Sequence, residues 1–264
     1  MIHADLLISD LKRIREQSPL VHNITNYVVM NNTANALLAA GASPVMAHSI
    51  EEVEEMTGIA SSLVINIGTL SNEWIKGMFT AGKAALKRGI PVILDPAGAG
   101  ATTYRTRTCL ALIEECPPTI IRGNGSEIMA LVSSSGQTKG VDSLTSSDTA
   151  LESAKMLARQ TGAIVIISGP VDYITDGNKT ESVKNGTPML TKVTGMGCTA
   201  SALTGAFAAI NADPFAASVN AMATMSITGE LAVEKSEGPG SMQLHFLDEL
   251  YKLTGDSIRK LLKN

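Results

Sequence analysis

The stretch SLVINIGTLSNEWIKGMFTAGKAALKRGIPVILD, residues 62–95, carries the pattern that decides the fold. SLVINIG is a short apolar run rich in β-branched residues, and it reads as a buried strand. Asn72 to Arg88 has apolar residues at helical spacing and is stopped by Gly89, a residue that takes the left-handed backbone of a helix end without strain. PVILD, Pro91 to Asp95, is a second strand. Strand, helix and strand in succession make a crossover between parallel strands.

The alternation continues in both directions. Upstream, Ile2 to Glu16 and Asn31 to Ala40 read as helices, SPVMA as a short strand and Ile50 to Ala60 as a further helix, with Glu51, Glu52, Glu54 and Glu55 near the positive end of its dipole. Downstream, Thr103 to Glu115 is helical, PTIIRGN (118–124) is a strand, a helix starts at Ser126, Ser146 to Gln160 is helical and AIVIIS (163–168) is a strand. Between Pro170 and Leu190, VDYIT, KTESVK and PML read as short strands joined by Gly and Asn turns, hence hairpins. From Gly197 onward the chain is almost all helix. These elements imply an α/β fold of three layers, α/β/α, with a mostly parallel central sheet and a short antiparallel edge, in a single domain over residues 1–264.

Composition narrows the function. Of the 264 residues, 44% are hydrophobic, enough for a large core, and only 3% are aromatic, so Ala, Val, Ile, Leu and the 12 Met must build that core. A net charge of −4 without a basic stripe points away from nucleic acid. Cys109, Cys116 and Cys198 are too few and too scattered for a disulfide framework or a zinc site, which suits a cytoplasmic setting. The N-terminus has neither the apolar run nor the cleavage site of a signal peptide, and no run of 18 apolar residues suggests a membrane span.

Ligands of such sheets bind beyond the carboxyl ends of the strands. Those ends carry Met46, Gly68, Asp95, Arg122 to Asn124, Ser168 and Gly169. VTGMGCTASALTGAFAAI (193–210) adds a glycine turn, Gly195-Met196-Gly197, directly before a small-residue helix. Glycines allow close backbone approach, and a helix start offers unpaired N–H groups to a phosphoryl group. The same glycines and small residues also suit plain helix packing. Cys198 at that helix start is expected to have a lowered pKa and to accept a proton, or else to be a buried small hydrophobe. Asp95 and Glu127 are hard oxygen ligands suited to Mg²⁺, or a turn former and a helix-capping partner. Arg122 and Ser168 can reach nucleotide phosphates, or serve as a surface ion pair and a turn residue.

Asn124-x-x-Glu127 together with the late glycine-rich helix start resembles the ribokinase-like superfamily. LVHNITNYVVMNNTANALLAAGASPVMA, INIGTLS, VILDPAGAGAT, IRGNGSEI, KVTGMGC and SEGPGSMQLHFLDEL resemble, in sequence and in order, the hydroxyethylthiazole kinases. The resemblance implies ATP-dependent phosphorylation of 4-methyl-5-(2-hydroxyethyl)thiazole with Mg²⁺ in thiamine biosynthesis and salvage. It also implies a ribokinase-like fold without a lid domain and a homotrimer with sites at subunit interfaces. It places the substrate on Met46, Gly195, Asn26 and Val28, and ATP on Arg122, Ser168 and Asn124. The metal region falls on Asp95 and Glu127. The catalytic turn is Gly195, Gly197 and Cys198, with Cys198 standing where sugar kinases carry an Asp base. A nucleotide-dependent dehydratase repairing hydrated nicotinamide cofactors, or a non-catalytic binder of a thiamine precursor, are the competing readings.

Overall fold

A computed structural model describes residues 2–134 and 146–263. Its strands are β1 (Leu20–Ile24), β2 (Ser43–Val45), β3 (Ser62–Asn66), β4 (Val92–Asp95), β5 (Ile120–Asn124), β6 (Ile164–Ser168), β7 (Asp172–Thr175) and β8 (Thr180–Val183). They form one sheet in the order β2-β1-β3-β4-β5-β6-β7-β8, parallel from β2 to β6 and antiparallel across β7 and β8. Every strand among the described residues belongs to this sheet, so none builds a separate lid.

Both faces of the sheet are buried. Val64, Ile93, Ile120 and Ile166 point into one core, while Leu63, Ile65, Leu94, Ile121, Val165 and Ile167 point into the other. This is the period-two alternation of strands covered on both sides. The first core is closed by α1 (Ala4–Gln17), α2 (Met30–Ala40), α8 (Met196–Ile210), α9 (Pro214–Val233), α10 (Pro239–Lys252) and α11 (Gly255–Leu261). The second is closed by α3 (Val53–Ile59), α4 (Asn72–Arg88), α5 (Thr103–Glu115), α6 (Gly125–Ser134) and α7 (Ser146–Thr161). The crossover over residues 62–95 is as expected: the Ser71 side chain caps α4 by accepting from Trp74 N, and Gly89 ends it at φ 69°. Helix α8 is almost wholly buried, and a Cβ on Gly205 would lie 2.7 Å from Val64 Cγ2. The small residues of this helix therefore let it lie directly on the sheet, which is the packing reading of that stretch.

Four local readings are corrected. Leu20–Ile24 is a strand that sequence reading does not assign, because His22 and Asn23 interrupt its apolar pattern. Both are buried with internal partners: His22 faces the Ala47 carbonyl and the Thr57 hydroxyl, and Asn23 Nδ2 donates to Val21 O. PML is no strand but the start of a 3₁₀ helix, Pro188–Lys192, because Thr187 caps it and proline preforms a first helical turn. The helix expected over 50–60 is confined to α3, and SPVMA pairs only as Ser43–Val45.

From β1 the chain steps outward to β2, then returns to β3 on the other side of β1. This reversal makes a switch point between β1 and β3, where such sheets open a crevice for ligands. No helix among the described residues is long and apolar enough to cross a membrane.

Candidate active site

The glycine turn before α8 lies at the carboxyl ends of these strands. Gly195 is the N-cap at φ 86°, and a Cβ there would sit 2.8 Å from Val29 Cγ1. Only glycine meets both conditions without strain. A Cβ on Gly197 would sit 2.9 Å from Arg122 Nη1, so the turn and the guanidinium are in close contact. The first main-chain bond back into the helix is Thr199 N to Gly195 O, at 2.8 Å. The amides of Met196, Gly197 and Cys198 therefore have no helical acceptor.

Arg122, on β5, is only 8% exposed. Its Nη2 donates to Ser168 Oγ on the adjacent β6 at 2.7 Å, and its Nε has no partner. Among the described residues, no ion pair includes Arg122. A buried cation and the positive end of a helix thus converge without a contacting anion, an arrangement suited to phosphate. Beside them opens a cavity of about 470 Å³, whose lining includes Arg122, Asn124, Ser168, Gly197, Met222 and Met225. Its volume suits a small-molecule ligand.

On the switch-point side, Cys198 Sγ receives the Nδ2 groups of Asn26, just past β1, and Asn66, at the end of β3, each at 3.3 Å. Asn26 Nδ2 also donates to Asn66 Oδ1 at 3.1 Å, and Gly68 N donates to the same oxygen at 2.9 Å. The expected lowering of the Cys198 pKa is not found. Burial, reinforced by the charge of Asp95, pushes the thiol up to about 11, against the pull of the Asn26 amide, Arg122 and the Asn66 amide. A helix dipole acts on the thiolate only modestly. Removing the thiolate from water costs more.

Asp95 is buried at the end of β4, and its Oδ2 accepts from Ser201 Oγ of α8 at 2.7 Å. Burial, chiefly, raises its pKa. Glu127 accepts from Gly98 N at 2.9 Å through Oε1 and from Asn124 N at 2.8 Å through Oε2. Asn124 Oδ1 in turn accepts from Glu127 N, so the pair forms a reciprocal cap on α6. The capping reading of Glu127 is therefore present in the geometry. It leaves lone pairs on both carboxylate oxygens, because each accepts only one of these bonds. No cluster of three His, Cys, Asp or Glu side chains able to hold a metal occurs among the described residues. The free lone pairs of Glu127 and the carboxylate of Asp95 at a strand end are hard oxygen donors of the kind Mg²⁺ takes, an ion that keeps waters and shares phosphate oxygens.

The chain brings Asn26, Asp95, Arg122, Ser168, Gly195, Gly197 and Cys198 to one end of the sheet, with Asn124 and Glu127 beside them. Met46 is half-buried just past β2, while Val28 is 68% exposed and faces outward on this chain, next to Tyr27. Sequence reading missed Asn66, Ser201 and Asp172. The Asn inside SLVINIG is the one legible signal among them. Asp172 lines the cavity, is 6% exposed, and accepts from Gly169 N at 3.0 Å and Ser226 Oγ at 3.4 Å.

Burial raises the Asp172 carboxyl to about 6. Ionising it in the folded state is unfavourable, so its contribution to stability falls as pH rises from about 4 to about 6. Asp172→Asn should abolish that slope and gain up to about 3 kcal/mol at pH 7 relative to its effect below pH 4. Urea unfolding of both proteins at pH 3.5 and 7 checks this, and a constant difference between them would contradict it.

A family model described as the hydroxyethylthiazole kinase family matches residues 11–256. The hydroxyethylthiazole kinase of Leptospira biflexa is 56% identical over 255 residues, covering 97% of this chain and 96% of that protein. The enzyme of the same name from Syntrophus aciditrophicus is 57% identical over 254 residues, covering 96% of this chain and 94% of the other. The solved structure of the Pyrococcus horikoshii hydroxyethylthiazole kinase protein superposes with a TM-score of 0.92 at 44% identity, covering 98% of both chains. With the glycine turn, the unpaired arginine and the carboxylates already at one end of a mostly parallel sheet, the chain belongs to the hydroxyethylthiazole kinase family.

Proposed function

We propose that this kinase transfers the γ-phosphoryl group of ATP to the hydroxyl of 4-methyl-5-(2-hydroxyethyl)thiazole, in thiamine biosynthesis and salvage, as one cytoplasmic domain over residues 1–264. The observation that carries the reading is the positive cup formed by the Gly195–Cys198 turn and the unpaired Arg122 guanidinium, open to the 470 Å³ cavity on one side. The Asn26–Asn66–Cys198 cluster closes its other side.

In this reading Arg122, Ser168 and Asn124 hold the nucleotide phosphates, and the nucleoside occupies the cavity beside Met222 and Met225. Asp95 and Glu127 hold Mg²⁺, which when bound offsets phosphate charge. Gly195, Asn26, Met46 and Val28 hold the thiazole, with the hydroxyl directed at Cys198 and the turn. Exposure of Tyr27 and Val28 beside Asn26 supports a second copy of the chain completing the pocket, as a homotrimer provides. The turn amides are fixed before the reaction, so they stabilise the moving phosphoryl charge without reorganising. Phosphoryl transfer through a loose transition state demands little early proton removal. A thiol with a pKa of about 11 stays protonated at neutral pH and does not take the alcohol's proton, which in this reading passes to an oxygen of the transferred phosphoryl group as the new P–O bond forms.

An assay coupling ADP release to added thiazole alcohol tests the function. Background release with the alcohol, ATP and Mg²⁺ present would reject it. Cys198→Asp is expected to keep or raise turnover. Even with its pKa raised by burial and Asp95, a carboxyl at this position is a readier base than the thiol, and the Asn26 and Asn66 amides already point at it. Collapse of kcat in a folded variant would show that a base here contributes nothing.

A further inference from the structure

Arg105 belongs to none of the groups placed around the substrates above. It lies in the first turn of α5, and its main-chain N–H donates to the Thr102 cap. Its guanidinium does something else. Nη1 donates to Ala97 O and Nη2 to Gly68 O, both at 2.7 Å. Ala97 lies just past β4 and Gly68 just past β3, so one side chain bridges the exits of two neighbouring strands at the switch-point end of the sheet.

Each exit leads into the site by one further step. The Gly68 amide donates to Asn66 Oδ1, and Asn66 Nδ2 donates to Cys198 Sγ. Next to Ala97, the Gly98 amide donates to Glu127 Oε1. A continuous set of bonds thus runs from the thiol side, through Arg105, to the carboxylate side. The segment is shaped around the guanidinium: Gly98 stands at φ 77°, and a Cβ on it would lie 2.5 Å from Arg105 Nη1. Among the described residues, no ion pair includes Arg105. Its two terminal nitrogens are committed to neutral carbonyls, and a planar guanidinium holds two acceptors at a fixed separation and angle, which a flexible ammonium does not.

We infer that Arg105 is a positioning residue that sets the separation between the acceptor side of the site, at Asn66 and Cys198, and the phosphate and metal side, at Glu127. The inference rests on the function proposed above and goes beyond it by naming what holds the two halves in register. It predicts a particular kinetic signature. Both substrates still bind when the bridge is lost, because neither binding surface is removed, but the reacting oxygen and phosphorus are no longer aligned.

Steady-state kinetics on Arg105→Met test this, with the alcohol and ATP varied separately and the melting temperature measured alongside. The kcat is expected to fall about 100-fold, the usual consequence of an ångström-scale misplacement, with both KM values within about threefold of the wild type. Arg105→Lys covers the case in which the methionine variant does not fold, and it should lose about tenfold in kcat because an ammonium lacks the planar fork. In Arg105→Ala, added methylguanidinium should restore kcat in part. A residue that merely stitches two loops would lower the melting temperature and leave kcat per folded enzyme unchanged; that result in whichever variant folds, or a rise in KM in place of a fall in kcat, overturns the inference. The wild type separates the two levels. If it fails to turn over the alcohol, the function and this inference fall together, whereas normal wild-type turnover with unaltered folded variants overturns the role of Arg105 alone.

Discussion

Gly197→Ala is expected to leave the protein folded and to cut kcat by about 10² to 10³, the range seen when one preorganised donor is lost from a charge-stabilising site. The selectivity follows from what the new methyl group would meet. Its nearest neighbour is Arg122 Nη1 at 2.9 Å, the far end of a side chain, so the clash is relieved by moving the guanidinium rather than the helix. That movement breaks the 2.7 Å bond to Ser168 Oγ and displaces the cation that faces the turn amides. Gly195→Ala is less informative: its Cβ would meet Val29 and its φ of 86° is strained for any L side chain, so loss of fold and loss of chemistry would coincide. For Gly197→Ala, a near-wild-type melting temperature with collapsed kcat supports the cup. Undiminished kcat in the folded variant would show that the contact between the turn and Arg122 has no part in catalysis.

Glu127→Gln is expected to lower kcat by about 10³-fold, several kcal/mol of transition-state stabilisation, while changing the Kd of the thiazole alcohol by no more than about threefold. Two losses coincide here. The charge that serves the metal and phosphate region disappears. One of the two backbone donors, Gly98 N or Asn124 N, also loses its acceptor, because a carboxamide has a single oxygen and its NH₂ group cannot accept. The second loss predicts a lower melting temperature as well, from a weakened cap on α6. Thiazole binding is spared because the residues proposed to hold it lie on the other side of the turn. Calorimetric titration with the alcohol beside steady-state kinetics with ATP separates these effects, and parallel losses in both would contradict the placement of Glu127 on the phosphate side.

The parts of this molecule legible in its sequence are those governed by local periodicity and by residues with special backbone freedom. Residues 62–95 show their crossover because the apolar spacing and Gly89 agree. The turn at Gly195 and Gly197 is legible as a helix entry but equally suits packing on sequence alone, and its contact with Arg122 appears only in three dimensions, whereas Gly205 in the same stretch proves to be a packing residue against Val64. What escaped depends on the third dimension. β1 is hidden by His22 and Asn23: both ring nitrogens of His22 find partners in the Ala47 segment and α3, and Asn23 Nδ2 donates within its own strand while its Oδ1 is buried without a partner. The shift of Cys198 has the opposite sign to that expected from its helix position, since the dipole is written in the sequence but the burial and the nearby Asp95 are not. Asn66 and Ser201 become site residues only when β3 and α8 meet Cys198 and Asp95. Arg105 reads as an ordinary helix arginine until its two carbonyl partners are in view.

The competing readings differ most sharply at the cup. A binder of the unphosphorylated thiazole alone has no use for a buried arginine facing helix amides without an anion in contact, and membership of the hydroxyethylthiazole kinase family, rather than a shared fold alone, separates this chain from a cofactor-repair dehydratase. The most direct measurement is a crystal structure with ADP, Mg²⁺, aluminium fluoride and the thiazole alcohol bound together. The fluoride group, standing in for the phosphoryl group in flight, should accept hydrogen bonds from main-chain amides between Gly195 and Cys198, with Arg122 beside it and the alcohol oxygen in line on the Cys198 side. A fluoride group bound away from that turn, with those amides facing water, would contradict the proposed chemistry whatever the likeness of the chain to its relatives.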